Sequence, residues 1–171
     1  MSFAEAIKGT NAPKEIINNL ILLNVSYYST DGKLHRGQLV IAKEVKSEIE
    51  KIFEIMLAEK FPIHKCIPIV HYNWSDAASM RDNNTSSFNY RKVSGSKNLS
   101  KHSYGLAIDI NPYFNPVVYS KRISPAGASY QPKRRGTLTQ ESSITQEFIK
   151  MGWKWGGAFR SFRDYHHFQK K

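Results

Sequence analysis

The feature that most constrains the fold is a pair of apolar segments on either side of Asp31-Gly32. Leu20–Tyr28 and Lys33–Ala42 each hold enough apolar and aromatic residues to form a β-strand. An Asp-Gly dipeptide favours a tight hairpin turn, because glycine adopts a positive φ without steric cost. The sequence therefore predicts a long antiparallel hairpin.

Helical patterns flank this hairpin. Residues 11–20 begin close to a proline and favour a short helix, whereas residues 143–152 begin with a Ser-x-x-Gln pattern that resembles a capping box. Lys43–Lys60 carries apolar residues at helical spacing and is predicted to form a helix buried on one face, which Pro62 ends. This apolar stripe consists of Val45, Ile49, Ile52, Phe53 and Met56.

Further strands are predicted in three places. His64–Tyr72 and Tyr165–Gln169 are rich in apolar and aromatic residues, and Tyr104–Ile110 alternates between large apolar residues and small or acidic ones. Asn73–Ser100 is polar and is predicted to be mostly loop. Helices and strands alternate without βαβ regularity, so we predict an α+β fold with a small, mainly antiparallel sheet flanked by helices.

Size and composition limit the class of protein. The chain has 171 residues, 40% of them hydrophobic, which predicts one globular domain over residues 1–171 rather than a disordered chain. No apolar stretch reaches the roughly 18 residues of a membrane-spanning helix. The formal net charge of +11 favours an anionic partner such as nucleic acid, lipid headgroups or acidic wall polymers. Cys66 is the single cysteine, so an intramolecular disulfide is excluded.

Two segments combine histidines with acidic residues. The first contains His102 and Asp109, and the second contains Asp164 and His167. Catalytic zinc generally takes three protein ligands and leaves a fourth position open, so two ligands from one segment and one from the other would suffice. Small residues on the Asp109 face, Gly105 among them, would leave room for metal and substrate. By spacing alone, an ordinary solvated strand edge explains the pattern equally well.

The amino-acid order in these segments resembles the signatures of a known family. SKHSYGLAID matches the Ser-x-His-x-x-Gly-x-Ala-x-Asp signature of the zinc D-Ala-D-Ala carboxypeptidases and dipeptidases. That family includes L-alanyl-D-glutamate endolysins and has a fold similar to that of the hedgehog signalling domain. WGGAFRSFRDYHHFQ resembles its second signature, and SMRDNNTSSFNYR resembles a segment of one of its branches. Together with INPYFNP, the resemblance spans roughly residues 20–169 and implies a hedgehog/DD-peptidase-like fold.

The resemblance implies a role for four of these side chains. His102, Asp109 and His167 occupy the positions of the zinc ligands. Asp164 occupies that of the general base, which would take a proton from the attacking water and later deliver it to the departing amine. His166 would be a packing or supporting residue, since neighbours in a strand point to opposite faces.

Two further residues are predicted to touch the substrate. Arg91 matches the family's arginine ahead of the first zinc ligand, where a guanidinium would offset negative charge on the scissile carbonyl oxygen. Arg81 is the competing candidate for that role. Ser100 stands where relatives hydrogen-bond the substrate, and a serine at the entry to a turn is the simpler interpretation.

The function that we predict is zinc-dependent hydrolysis of peptide bonds next to D-amino acids in peptidoglycan stem peptides or muropeptides, with Zn²⁺ as the cofactor. Carboxypeptidase, dipeptidase and endopeptidase specificities remain open at this point. The alternative is a zinc-stabilised binding module of the hedgehog type without turnover, which would be expected to lack the base at Asp164.

The remaining expectations concern partners and compartment. We expect a monomer with no membrane span, and no nucleic-acid partner, because no nucleic-acid-binding motif accompanies the charge. The first residues, MSFAEAIKGTNAPKE, show no signal peptide. The expected location is the cell envelope, periplasmic or extracellular, if a leader was removed, and the cytoplasm otherwise.

Overall fold

The predicted hairpin forms the longest pair of strands in the computed structural model, which describes residues 1–171. Strand β1 (Leu20–Tyr28) pairs antiparallel with β2 (Leu34–Ala42), so that Leu20 lies opposite Ala42 and Tyr28 lies opposite Leu34. The turn contains Gly32 with a φ of 77°. Asp-Gly therefore occupies the turn, as its backbone preference predicts.

Helix α3 (Lys46–Ala58) packs its apolar stripe against the hairpin. Ile49, Ile52, Phe53 and Met56 are all buried in the main hydrophobic core, together with residues of both strands. Full burial of each such side chain contributes about 1.5–3 kcal/mol to the free energy of unfolding. The predicted helix begins three residues late, because Lys43–Val45 forms a 3₁₀ turn. Helix α3 and the hairpin thus share the main hydrophobic core.

The other helices are short. Helix α1 (Phe3–Ala6) was not expected from the sequence, and it is fixed by a capping box between Ser2 and Glu5. The helix predicted over 11–20 is reduced to one turn, α2 (Lys14–Ile17), because β1 begins at Leu20. Helix α4 comprises Asp76–Arg81.

The final helix, α5 (Ser143–Lys150), has Ser142 rather than Ser143 as its N-cap. The predicted capping box is therefore wrong. The Ser143 hydroxyl donates instead to Glu59, and the Gln146 amide donates to the carbonyl of Gln140. None of the helices has the length and apolar character needed to cross a membrane.

A three-stranded antiparallel sheet contains Asp109 and His167, two of the predicted zinc ligands. Strand β10 (His167–Lys170) lies in its centre, between β5 (Ala107–Asp109) and β8 (Trp153–Trp155). Phe168 pairs with Trp155 in register, and its side chain is fully buried. The sheet is therefore anchored in the main core through its central strand.

Two smaller sheets complete the fold. Strand β3 (Lys65–Cys66) pairs in parallel with β4 (Asn84–Thr85). Strand β6 (Val117–Val118) pairs antiparallel with both β7 (Ile123–Ser124) and β9 (Arg163–Asp164). With 29% helix and 24% strand, this arrangement confirms the predicted α+β class with small, mainly antiparallel sheets.

Three further predicted segments differ from the structure, and the strand expected over Tyr165–Gln169 begins only at His167. The strand expected over His64–Tyr72 is limited to β3, because Pro68 precedes a 3₁₀ turn over Ile69–Tyr72. The loop expected over Asn73–Ser100 contains α4, β4 and a continuously buried run at residues 83–89. The strand expected over Tyr104–Ile110 is confined to β5, since Lys101–Tyr104 forms a 3₁₀ turn.

Gly105 serves packing rather than the space for metal that we predicted. It follows the 3₁₀ turn with a φ of 67°, and its carbonyl accepts a hydrogen bond from the Ala42 amide at 3.0 Å. A Cβ at this position would lie 2.5 Å from that same amide nitrogen. Glycine is thus required here for both its backbone conformation and the close approach of β2.

We expect Gly105→Ala to destabilise the protein much more than Gly32→Ala. Both glycines have positive φ, so each substitution costs about 1–2 kcal/mol of backbone strain. Only the Gly105 substitution adds a collision, worth about 1–3 kcal/mol, because no atom lies within 4 Å of a Cβ at Gly32. Urea unfolding of the two variants measures the difference, and equal losses would contradict the assignment.

Candidate metal centre

The metal-capable cluster is assembled by strand register and by one 3₁₀ turn. Asp109 of β5 lies directly opposite His167 of β10. His102 lies in the turn that precedes β5. One ligand atom from each of the three residues lies within 4.8 Å of the others, and all three residues are at least nine-tenths buried. The structure therefore brings together the three side chains predicted as ligands.

The tautomer of His102 is fixed by a backbone carbonyl. Its Nδ1 lies 2.5 Å from the carbonyl oxygen of Ser87, which can only accept, so Nδ1 carries the proton. Nε2 is then a lone-pair acceptor. It lies 3.2 Å from Asp109 Oδ2 and 3.2 Å from His167 Nδ1.

His167 has the complementary arrangement. Its Nε2 donates to Gln169 Oε1 at 3.0 Å, which leaves Nδ1 as the acceptor, 2.9 Å from Asp109 Oδ1. Two imidazole lone pairs and a carboxylate thus face one another in a buried space. Such a set repels itself unless a cation or a proton lies between its members. Metal-ligating histidines commonly donate their other N–H to a carbonyl or similar acceptor, so the cluster fits a divalent metal ion.

The pKa values in the cluster shift in opposite directions. Burial alone would raise the pKa of Asp109, but His102 and His166 hold it well below its ordinary value. Burial would lower the pKa of His167, but the facing Asp109 carboxylate raises it, because that carboxylate would accept a proton carried on Nδ1. Asp109 is therefore held in its ionised form, which is the form that binds a metal ion.

The buried segment 83–89 holds the cluster from one side. Ser86 and Asp109 exchange backbone hydrogen bonds of 3.1 and 2.8 Å. The Ser87 hydroxyl donates to the Ala107 carbonyl at 2.6 Å, and the Asn89 amide donates to the His102 carbonyl at 3.1 Å. Sequence reasoning missed Ser87, because a contact made through a backbone carbonyl leaves no mark on the residue type.

Asp164 lies beside the cluster at the end of β9. Its Oδ1 is 3.0 Å from His166 Nε2, which is 3.8 Å from Asp109 Oδ1. A Cβ on Gly156 would lie 2.8 Å from Asp164 Cβ and 3.2 Å from His167 Cβ, so the missing Cβ lets both side chains approach. The Trp-Gly-Gly segment is thus in direct contact with the predicted base and with a predicted ligand.

His166 departs from its predicted placement. Tyr165 and His166 form a turn between β9 and β10, so the alternation of a strand does not apply. Its Nδ1 donates to the Asn115 carbonyl at 2.7 Å. Burial opposes protonation, yet the carboxylates of Asp164 and Asp109 raise the pKa of His166 to about 9. His166 therefore contacts the predicted base directly.

The two residues predicted to touch the substrate are linked through their backbone to the turn that carries His102. Arg91 Nη2 forms an ion pair with Asp76 at 3.1 Å, and its Nε is buried without a partner. The Ser100 amide donates to the Arg91 carbonyl, and the Ser100 hydroxyl accepts from the His102 amide. Ser100 thus caps the turn that carries His102. Arg81, the competing candidate, is exposed at the end of α4.

Comparison with known proteins identifies one family. A family model described as D-alanyl-D-alanine carboxypeptidase matches residues 94–170, a little under half of the chain. This match confirms the predicted resemblance over residues 94–170. The matched segment contains Ser100, Asp164 and the three cluster residues, whereas Arg91 precedes it. No curated protein and no solved structure matches the chain.

We expect His102→Ala and His167→Ala each to abolish stoichiometric zinc binding, because each removes one of three facing donors. His71→Ala removes an exposed histidine from a 3₁₀ turn outside the cluster and should leave binding unchanged. Calorimetric titration of the metal-free proteins with zinc measures this. Zinc at 100 times its Kd should also stabilise the unsubstituted protein by about 2.7 kcal/mol. Equal binding by all the proteins would contradict the cluster.

We expect Gln169→Ala to weaken zinc binding about 10–100-fold, because His167 loses the acceptor that holds its ring. Gln169→Glu keeps an acceptor and should retain most of the affinity. Gln146→Ala, which alters an exposed glutamine of α5, is the matched control. Competition with a chromogenic chelator measures all three, and equal losses in the Ala and Glu variants would contradict this role.

Proposed function

We propose that this chain is a zinc-dependent peptidase of the D-Ala-D-Ala carboxypeptidase type, acting on peptide bonds next to D-amino acids in peptidoglycan or muropeptides. One observation carries the proposal. The buried cluster of His102, Asp109 and His167 lies next to a second carboxylate, Asp164, within the segment that matches the peptidase family. A site built only to stabilise a fold with metal needs no such carboxylate.

Zinc held by the cluster would supply a Lewis acid that polarises the scissile carbonyl and lowers the pKa of the attacking water. Asp164 then takes the water proton at its carboxylate and delivers it to the departing amine. Its side chain is 17% exposed, so it reaches solvent and substrate while remaining fixed by the chain around it. His166 holds this carboxylate through their 3.0 Å contact.

Arg91 is the proposed partner of the developing oxyanion. Its guanidinium is partly exposed and its ion pair with Asp76 is made through Nη2, so further N–H donors of the guanidinium remain. A guanidinium placed beside a scissile carbonyl offsets charge that appears only in the transition state. Ser100, which adjoins both Arg91 and His102, is proposed to contact the substrate through its hydroxyl.

The substrate class accords with the charge of the chain. Stem peptides carry free carboxylates within an anionic wall layer, and a formal net charge of +11 favours association with such a layer. We propose that the domain covers residues 1–171, that it acts as a monomer and that it works where wall peptides are found, in the cell envelope.

Mass spectrometry of a defined muropeptide mixture tests this function. We expect loss of a terminal D-Ala or release of a stem fragment, abolished by a chelator and restored by zinc. Asp164→Asn should lower the rate about 10²–10⁴-fold, because the proton acceptor is lost, with zinc stoichiometry unchanged. Asp31→Asn, at the exposed hairpin turn, is the matched control and should retain full activity.

The identity of the mass lost separates carboxypeptidase, dipeptidase and endopeptidase action. Stoichiometric zinc binding without cleavage of any muropeptide would contradict the hydrolase and favour the zinc-stabilised binding module. Equal activity of the Asp164→Asn and unsubstituted proteins would contradict Asp164 as the base, whatever the substrate.

A further inference from the structure

A cavity of about 370 Å³ opens between the hairpin turn, the end of α3 and the chain around Arg134. None of His102, Asp109, His167 and Asp164 lines it. Its volume corresponds to roughly twelve water molecules, given about 30 Å³ for each in the liquid. It is therefore large enough for a small polar ligand and is separate from the metal-capable cluster.

The charged side chains that line the cavity are all positive. They are Lys60, Arg134 and Arg135, and none of the three forms an ion pair. The two acidic residues adjoining the lining along the chain are engaged elsewhere. Asp31 pairs with His35 at 2.9 Å, and Glu59 accepts from Ser143 at 2.7 Å. Three positive side chains thus line the cavity, and no carboxylate of the protein pairs with any of them.

Backbone carbonyls hold both guanidinium groups in place. Arg134 Nη2 donates to the carbonyls of Phe114 and Ser129 at 2.9 and 3.0 Å, and its guanidinium carbon lies 4.2 Å from the Phe114 ring centre. Its Nε is buried without a partner. Arg135 Nη2 donates to the Lys60 carbonyl at 2.9 Å, which brings these two cationic residues together. Both guanidinium groups are therefore held in place before any ligand arrives, with their remaining N–H groups as the donors.

We propose that this cavity binds a phosphate group, as inorganic phosphate or as a phosphate monoester. A dianion with three equivalent acceptor oxygens matches two guanidinium groups and an ammonium, whereas a single carboxylate would leave most of the charge uncompensated. The room beyond one phosphate accommodates the alcohol part of a small ester. This site is independent of peptide hydrolysis at the cluster.

Calorimetric titration of the zinc-loaded protein with inorganic phosphate, glycerol 3-phosphate and acetate tests the proposal. We expect saturable binding of both phosphates and much weaker binding of acetate. The double substitution Lys60→Gln with Arg135→Gln should weaken phosphate binding about tenfold or more, because charge-assisted hydrogen bonds are lost. Arg134 is left intact because its hydrogen bonds also support the fold.

The matched control is Lys154→Gln with Arg160→Gln, which removes the same charge from exposed positions away from the cavity. It should bind phosphate as the unsubstituted protein does. Repeating the titration with His102→Ala separates this site from phosphate bound at the metal, and binding should persist. Amide NMR shifts of Thr30 and Gly32 during the titration provide a readout that needs no substitution in the cavity.

Several outcomes would overturn the proposal. They are absence of saturable phosphate binding, equal weakening in the control pair, acetate binding as tight as phosphate, or loss of binding in His102→Ala alone. Preference for glycerol 3-phosphate over inorganic phosphate supports an esterified ligand. The reverse preference supports the free ion.

Discussion

The buried carboxylate of Asp109 is the constraint around which the site is organised. An ionised carboxylate inside a protein is costly unless opposite charge and hydrogen bonds compensate it. Here three histidines surround it, at 2.9 Å for His167, 3.2 Å for His102 and 3.8 Å for His166. The backbone of Asp109 is meanwhile paired on one side with Ser86 and on the other with His167. Strand pairing therefore determines where the charge lies, and His166, whose pKa is raised to about 9, supplies a positive charge beside it.

Much of the hydrogen bonding around the site comes from side-chain amides rather than long strands. The Asn84 side chain accepts from the Ile67 amide and donates to the Ile67 carbonyl. The Asn111 side chain accepts from the His64 amide and donates to the carbonyls of Pro62 and Gly136. The side-chain oxygen of Asn115 accepts a hydrogen bond from the Leu138 amide, and its backbone carbonyl accepts one from His166 Nδ1. Buried amides of this kind must be fully satisfied, and these link irregular segments that short strands alone would leave loose.

Two glycines allow neighbouring segments of backbone to approach closely. A Cβ on Gly37 would lie 2.5 Å from the Cys66 carbonyl, and one on Gly156 would lie 2.5 Å from the Asp164 carbonyl. The first contact brings the hairpin against β3, and the second brings the chain after β8 against the predicted base. In the same region the Trp155 indole donates to the Tyr165 carbonyl at 3.0 Å, which fixes the turn that carries His166. The absence of a side chain at Gly156 thus helps to place Asp164, eight residues further along the chain.

The sequence by itself determined the hairpin, a helix within residues 43–60 and, through its resemblance to a family, the grouping of His102, Asp109, His167 and Asp164. Turn chemistry, helical periodicity and signature residues are local properties, so they can be recognised in the amino-acid order. Only the tertiary structure decided that residues 83–89 are buried, that Ser87 fixes the His102 tautomer and that His166 contacts Asp164. It alone also brought Lys60 to Arg134 and Arg135. These features arise from contacts between residues far apart in the chain, and a contact made through a backbone carbonyl or through the absence of a Cβ leaves no periodic pattern to read.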